Sequence, residues 1–147
     1  MKPITRRSAK VIVVDPSGDV LLFRGRDPDR PSDGSWWFPP GGGVEADESD
    51  EQAALRELRE ETGLEIDRLG TPVATRRATF GFMGQTLLSD EVYFLVQTHR
   101  FELTTVGWTD VERQTILEHR WWPQRELAIT RETVYPEELL VIMREQA

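Results

Sequence analysis

Apolar and polar positions change period several times along this chain, and each change marks an element. Ala9–Asp15 and Val20–Arg24 carry the longest apolar runs, Val11–Val14 and Val20–Phe23, which predict two β-strands. Pro16-Ser17-Gly18-Asp19 between them has turn composition and predicts a hairpin. Asp27–Ser35, rich in Pro, Asp and Arg, is expected to be a solvent loop. Trp36–Phe38 reads as a short strand stopped by Pro39-Pro40 and the glycines Gly41, Gly42 and Gly43. Val73–Phe82 and Gln85–Thr98 read as paired strands meeting near Gly81–Gly84. His99–Gln114 reads as mostly loop, Ile116–Trp122 as a further strand, and Pro136–Glu145 as a terminal helix with Pro in its first turn.

The clearest element is a helix over about Asp50 to Thr62. Ser49 can cap it, with Gln52 three residues later completing a capping-box pattern. Asp50 and Glu51 suit the positive end of the helix dipole, and Gly63 supplies a left-handed stop. Strands before, between and after two helices indicate a mixed α/β domain, a sheet between helices. No repeat, linker or low-complexity tract interrupts residues 1–147, so a single domain is expected.

Composition narrows the function. No apolar run approaches a membrane span, and no apolar segment of secretory length follows Lys2, Arg6 and Arg7. The chain has no cysteine, which excludes disulfides and thiolate metal sites and fits the cytoplasm as the expected location. A net charge of −8 argues against a nucleic-acid polymer as partner, since phosphate backbones need a basic surface. A small polyphosphate can still bind a carboxylate-rich site when divalent cations lie between the two.

The ordinary reading of DEQAALRELREE is a solvated face of i,i+4 ion pairs. Its spacing says more. At about 100° per residue, Glu57, Glu60 and Glu61 share roughly a 100° arc, with no Lys among them. Like charges at i,i+4 repel, so this arc becomes favourable when Mg²⁺, or Mn²⁺ in its place, sits in it. Ala53, on the same arc, leaves space for ligands. Ala54, Leu55 and Leu58 form the apolar side that docks on the sheet. Arg56 can hold Glu57 or Glu48 in a fixed rotamer. Gly41, Gly42 and Gly43 let the backbone pass close to the site, where a carbonyl such as that of Gly42 can be a metal ligand.

Gly42 to Leu64 also fits G-x5-E-x7-R-E-U-x-E-E-x-G-U, with U aliphatic, at every position: Gly42, Glu48, Arg56, Glu57, Leu58, Glu60, Glu61, Gly63 and Leu64. Seven fixed identities coincide by chance on the order of once in 10⁸ starting points. This segment resembles the Nudix box, and Trp36-Trp37-Phe38-Pro39-Pro40-Gly41-Gly42 resembles the family's W-x-x-P-G-G approach to it. Pro39 and Asp47 depart from the commoner residues, at positions that are not ligands. The resemblance implies a Nudix-type α/β/α sandwich and Mg²⁺-dependent hydrolysis of a diphosphate in a small nucleotide-type substrate, a nucleoside diphosphate linked to another group. Glu57, Glu60 and Glu61 map onto the metal positions, and Glu48 onto a supporting one.

Glu57 is one candidate for the base. Many members take the base from a loop outside the box, and here Glu118, Glu112 and Glu91 are candidates, with Glu118 first because it precedes the strand edge. Arg24, Arg26, Arg76 and Arg77 are candidate phosphate contacts, and Phe80 or Phe82 can stack on a base. His99 and His119 lack metal-site spacing. The alternative is a non-catalytic Nudix domain that senses a nucleotide; isoprenoid diphosphate isomerisation is disfavoured because it relies on a Cys. A homodimer is expected from the resemblance.

Overall fold

The computed structural model describes residues 2–146. Its centre is β1 (Ile4–Val14), which pairs in parallel with β6 (Gln85–Gln97) from Ile4↔Leu87 to Val14↔Gln97. β5 (Ala74–Phe82) adds an antiparallel outer strand to β6. On its other edge, β1 meets β2 (Val20–Gly25) only at the turn, Val14↔Val20, before β4 (Gly41–Gly43) takes that edge at Ser8, Ala9 and Lys10. β2 is freed to pair with β3 (Trp36–Phe38) and β7 (Ile116–Trp122), and β8 (Thr133–Val134) lies parallel to β3. The expected β1–β2 hairpin is therefore a hairpin only at its turn. The glycines expected to stop the Trp36–Phe38 strand form a strand rung of their own, because a strand without side chains can fit this splayed edge.

Two apolar cores lie on the two faces of this sheet. On one, α1 (Asp50–Thr62) buries Ala53, Ala54 and Leu58 against Ala9, Val11, Val13, Leu21 and Phe94. Burying Leu58 alone is worth about 1.5–3 kcal/mol. Ala53 is thus a packing residue, not a gap for ligands. On the other face, Ile12, Val14, Leu22, Tyr93 and Trp122 pack against Leu127 of α3 (Gln124–Leu127) and Leu139, Ile142 and Met143 of α4 (Leu139–Glu145). Alternation along β1 sends Val11 and Val13 to one core and Ile12 and Val14 to the other. The architecture is the expected α/β sandwich with a mixed sheet. No helix is long and apolar enough to cross a membrane among the described residues.

Three boundaries differ from the sequence reading. β1 begins at Ile4 although ITRRS is polar, because eleven registered partners on β6 override propensity. α4 begins at Leu139 and not Pro136, because the preceding chain is used as an edge: β8 pairs with Trp36 and Trp37, and the Tyr135 N–H donates to the Trp37 carbonyl at 2.8 Å. The segment read as loop before β7 ends in a short helix, α2 (Asp110–Thr115).

Asp15 closes the β1–β2 turn. Its Oδ1 accepts the N–H groups of Ser17 and Asp19, each at 2.9 Å, and its Oδ2 accepts from Arg100 Nε at 2.6 Å. Burial alone would raise its pKa, but Arg100 and the turn amides outweigh it and hold the carboxyl below its ordinary 3.8. A carboxyl lowered in this way stabilises the fold above its unfolded pKa, and the contribution fades as pH falls through the folded value. Asp15→Asn should cost about 1–3 kcal/mol in urea unfolding at pH 7. The gap from wild type should shrink below pH 4; an equal gap at both pH values would contradict the assignment.

Candidate metal centre and active site

Helix α1 is fixed at both ends before it carries any chemistry. Ser49 Oγ accepts the Gln52 N–H at 3.1 Å, and Gln52 Oε1 accepts the Ser49 N–H at 2.9 Å. Gly63 adopts the left-handed conformation and returns its N–H to the Arg59 carbonyl at 2.9 Å. Between these ends, Arg56 gathers the acidic groups. Its Nε and Nη2 grip Glu48 at 2.7 and 2.9 Å, its Nη1 donates to Glu57 at 3.0 Å and to Glu60 at 3.2 Å, and Nη2 also donates to the Gly43 carbonyl at 3.0 Å. This fork holds the Glu48 carboxyl down at about 2. It also ties the helix to β4.

Glu57 and Glu61 emerge on the side facing the glycines. Glu61 is buried, and its Oε1 accepts the Gly41 N–H at 2.8 Å. Gly41 has φ +147°, and a β-carbon there would stand 2.3 Å from the Ala9 carbonyl oxygen, so only glycine fits. A β-carbon on Gly42 would lie 2.6 Å from the Glu57 carboxyl carbon, so Gly42 makes the room that the carboxylate occupies.

The third member comes from outside the helix. Oxygens of Glu57, Glu61 and Glu112 lie within 4.8 Å of one another. Glu112 sits in the first turn of α2, where Thr109 and Glu112 form a second capping box: Glu112 Oε1 accepts the Thr109 N–H at 2.8 Å, and Thr109 Oγ1 accepts the Glu112 N–H at 3.1 Å. Trp108 brings this turn to α1. Its indole N–H donates to the Glu61 carbonyl at 2.8 Å, and its ring meets Phe23 edge to face at 5.9 Å. The Thr104 N–H adds a bond to the Thr62 carbonyl at 3.1 Å.

Electrostatically the trio is under-neutralised. Burial raises the Glu57 pKa, and Arg56 only partly opposes it. Burial and the charges of Glu57 and Glu112 push Glu61 well above its ordinary value, with Lys10 and the Gly41 N–H as the opposing influences. A crowded set of carboxylate oxygens, walled by bare glycine backbone and braced by Arg56, has the donor chemistry of a hard divalent cation site. The residues present fit such an ion.

The other sequence candidates are placed as follows. Glu60 turns to Arg56 and is outside the close trio. Glu118 does not precede β7 but lies within it, exposed, and accepts from Arg24 Nε at 2.8 Å. Between the two, the structure brings Glu112 to the box and occupies Glu118 with Arg24. Glu91 accepts from Arg76 at 3.0 Å and from the Tyr93 hydroxyl at 2.8 Å. Arg77 is held by Asp90 at 2.7 Å. Arg26 and Phe80 are exposed, and Phe80 lies in register with Leu87. Phe82 meets Trp36 edge to face at 6.5 Å. The sequence reading gave no part to Trp108 or Lys10, and it passed over α2, whose T-D-V-E pattern is a legible capping box.

Comparison with known proteins gives the same answer from another direction. The chain is 43% identical over 63 residues to an RNA pyrophosphohydrolase of Gluconacetobacter diazotrophicus, a match covering 40% of this chain and 36% of that protein. It is 28% identical over 147 aligned positions to one of Halorhodospira halophila, covering 91% and 77%. For the Gluconacetobacter relative and one from Hahella chejuensis, the matched segment thus spans two fifths or less of the relative, 36% and 40%. In structure it resembles the MutT NUDIX hydrolase from Burkholderia pseudomallei, with TM-score 0.70, 19% identity and coverage of 98% and 99% of the two chains. It also resembles the NUDIX domain of Shewanella oneidensis NrtR, solved with ADP ribose, with TM-score 0.69, 18% identity and coverage of 99% and 90%. The NUDIX domain family model matches residues 4–142, nearly the whole chain. The chain therefore belongs to the Nudix family.

Proposed function

We propose that this protein is a pyrophosphohydrolase that uses Mg²⁺, with Mn²⁺ able to replace it, to cleave a phosphoric anhydride in a small nucleotide-type substrate. The observation that carries this reading is the close approach of Glu57 and Glu61 of α1 to Glu112 of α2, two elements distant in sequence, braced by the Arg56 fork. Glu57 and Glu61 would hold the cation, with Glu60 and the Gly42 carbonyl as further candidate ligands. A divalent cation held there would supply charge neutralisation for the phosphate and lower the pKa of a water for attack on phosphorus. Glu112 is the base that takes the proton from the attacking water, its carboxylate fixed by its capping box within 4.8 Å of the Glu57 and Glu61 oxygens. Arg56 keeps Glu57 in one orientation, and Trp108 holds α2 against α1 so that Glu112 does not drift.

The RNA pyrophosphohydrolase name of the relatives makes a 5′-triphosphorylated RNA a necessary arm of any substrate panel. A nucleoside triphosphate, ADP-ribose and a dinucleoside polyphosphate are the small-molecule arms, and the small substrates are expected to be preferred by a chain of net charge −8. Turnover with Mg²⁺ should be abolished by EDTA. Glu61→Gln and Glu112→Gln should each lower kcat by about 10²–10⁴-fold. Glu118→Gln should stay within about twofold, as a surface change of under 0.5 kcal/mol. Full activity in Glu112→Gln, or a large loss in Glu118→Gln, would reassign the base. Tight nucleotide binding without product in any arm would favour a sensing domain.

Arg56→Lys keeps the charge but loses the fork. It should weaken Mn²⁺ binding by about 10–100-fold in calorimetric titration. Unchanged affinity would remove Arg56 from its bracing role.

A further inference from the structure

Lys10 stands against the candidate site from the face opposite α1. On β1 it shares a face with Ile12 and Val14, and it is in register with Gly41 of β4 and Tyr93 of β6. A β-carbon on Gly41 would lie 2.7 Å from Lys10 Cδ, so the lysine stem runs over the bare backbone whose N–H holds Glu61. The ammonium ends 5.8 Å from the centroid of the Phe38 ring. Stem and head are thus both located, by glycine on one side and an aromatic ring on the other. Because side chains alternate along β4, Gly42 faces Glu57 while Gly41 faces Lys10, so the carboxylates and the cation flank the same short strand.

The charge of Lys10 acts on Glu61 at a distance, but no group among the described residues bonds the ammonium directly. Among the described residues Lys10 makes no ion pair or hydrogen bond, and Tyr93, its register partner on β6, donates its hydroxyl to Glu91. Several arginines on neighbouring elements are answered: Arg24 by Glu118, Arg56 by Glu48, Arg76 by Glu91 and Arg77 by Asp90. An ammonium carries three donors and no acceptor. The Phe38 ring, 5.8 Å from the ammonium, accepts no conventional hydrogen bond from those donors, which leaves them available to an anion.

We propose that Lys10 is a substrate-contacting residue, its ammonium donating to a phosphate oxygen of the diphosphate on the side of β4 away from α1. This assignment rests on the pyrophosphohydrolase reading of the carboxylate site and adds to it a second, protein-borne cation with its own signature. A positive charge near the carboxylates opposes a metal ion when no phosphate is present, and attracts the phosphate once metal is bound. Its removal therefore moves the two affinities in opposite directions, which a packing role over Phe38 would not do.

Lys10→Met keeps the apolar stem and removes the charge, and Lys10→Arg keeps the charge; thermal melts of both establish that the fold is intact. Calorimetric titration of inorganic pyrophosphate onto Mn²⁺-saturated protein should show about tenfold weaker binding in Lys10→Met, the loss expected for one charged hydrogen bond. Mn²⁺ binding without phosphate should be up to severalfold tighter in the same variant. Lys10→Arg should recover most of the pyrophosphate affinity. Unchanged pyrophosphate binding in Lys10→Met, no pyrophosphate binding by the wild type, or parallel loss of Mn²⁺ and pyrophosphate without recovery in Lys10→Arg would each overturn the assignment. Turnover of the nucleotide panel is scored separately. A wild type that hydrolyses nucleotides while Lys10→Met binds pyrophosphate normally refutes the role of Lys10 alone. A wild type without turnover, but with pyrophosphate binding that depends on Lys10, refutes the hydrolase reading alone.

Discussion

The Arg56 guanidinium is the interaction on which the site depends. Glu48, Glu57 and Glu60 meet around one planar fork, and the Gly43 carbonyl shares its Nη2. Concentrating carboxylates on one helical arc costs free energy through repulsion and burial, and a delocalised cation with several directed donors can answer more than one of them at once. The answer is incomplete by design of the geometry. Glu61 accepts a backbone N–H and no guanidinium, and burial beside Glu57 and Glu112 pushes its pKa well above the ordinary value, so protein groups compensate its ionised form only in part. A divalent cation at this end of the arc would supply the missing compensation.

The sheet makes this arrangement possible by coming apart. β1 and β2 separate after their turn, and β4 fills the opening with three glycines. The missing side chains have separate consequences: Gly42 yields space to Glu57, and Gly41 lies under Lys10 while presenting its N–H to Glu61. A side chain at position 41 would collide with the Ala9 carbonyl, and one at position 42 would fill the space of the Glu57 carboxylate. Trp108 has a comparable double connection, its N–H on α1 and its ring on Phe23 of β2. It converts a sequence-distant turn into a wall of the site.

Much of this could be read from the chain alone. Helix α1, its caps and the arc of Glu57, Glu60 and Glu61 follow from interactions between residues three and four apart, which a sequence displays directly. The strands with apolar runs, Val11–Val14 and Val20–Phe23, were legible for the same reason. The polar start of β1, by contrast, is a strand because β6 lies beside it, and the late start of α4 follows from the use of Thr133–Val134 as a sheet edge. Both depend on partners distant in the sequence.

The sequence by itself determined the fold class, the family resemblance and the helix that carries the acidic arc, because caps, periodicity and motif spacing are local. Only the tertiary structure decided which outside carboxylate joins that arc and which cations are free to meet a ligand. Glu112 and Glu118 are chemically equal in the sequence; Trp108 draws one to Glu61, while strand register sets the other opposite Arg24. Lys10 and Arg77 are likewise equal as strand cations, until Asp90 answers one and bare glycine underlies the other. Such choices are made by contacts across the sheet, and their energies exist only once the chain has closed on itself.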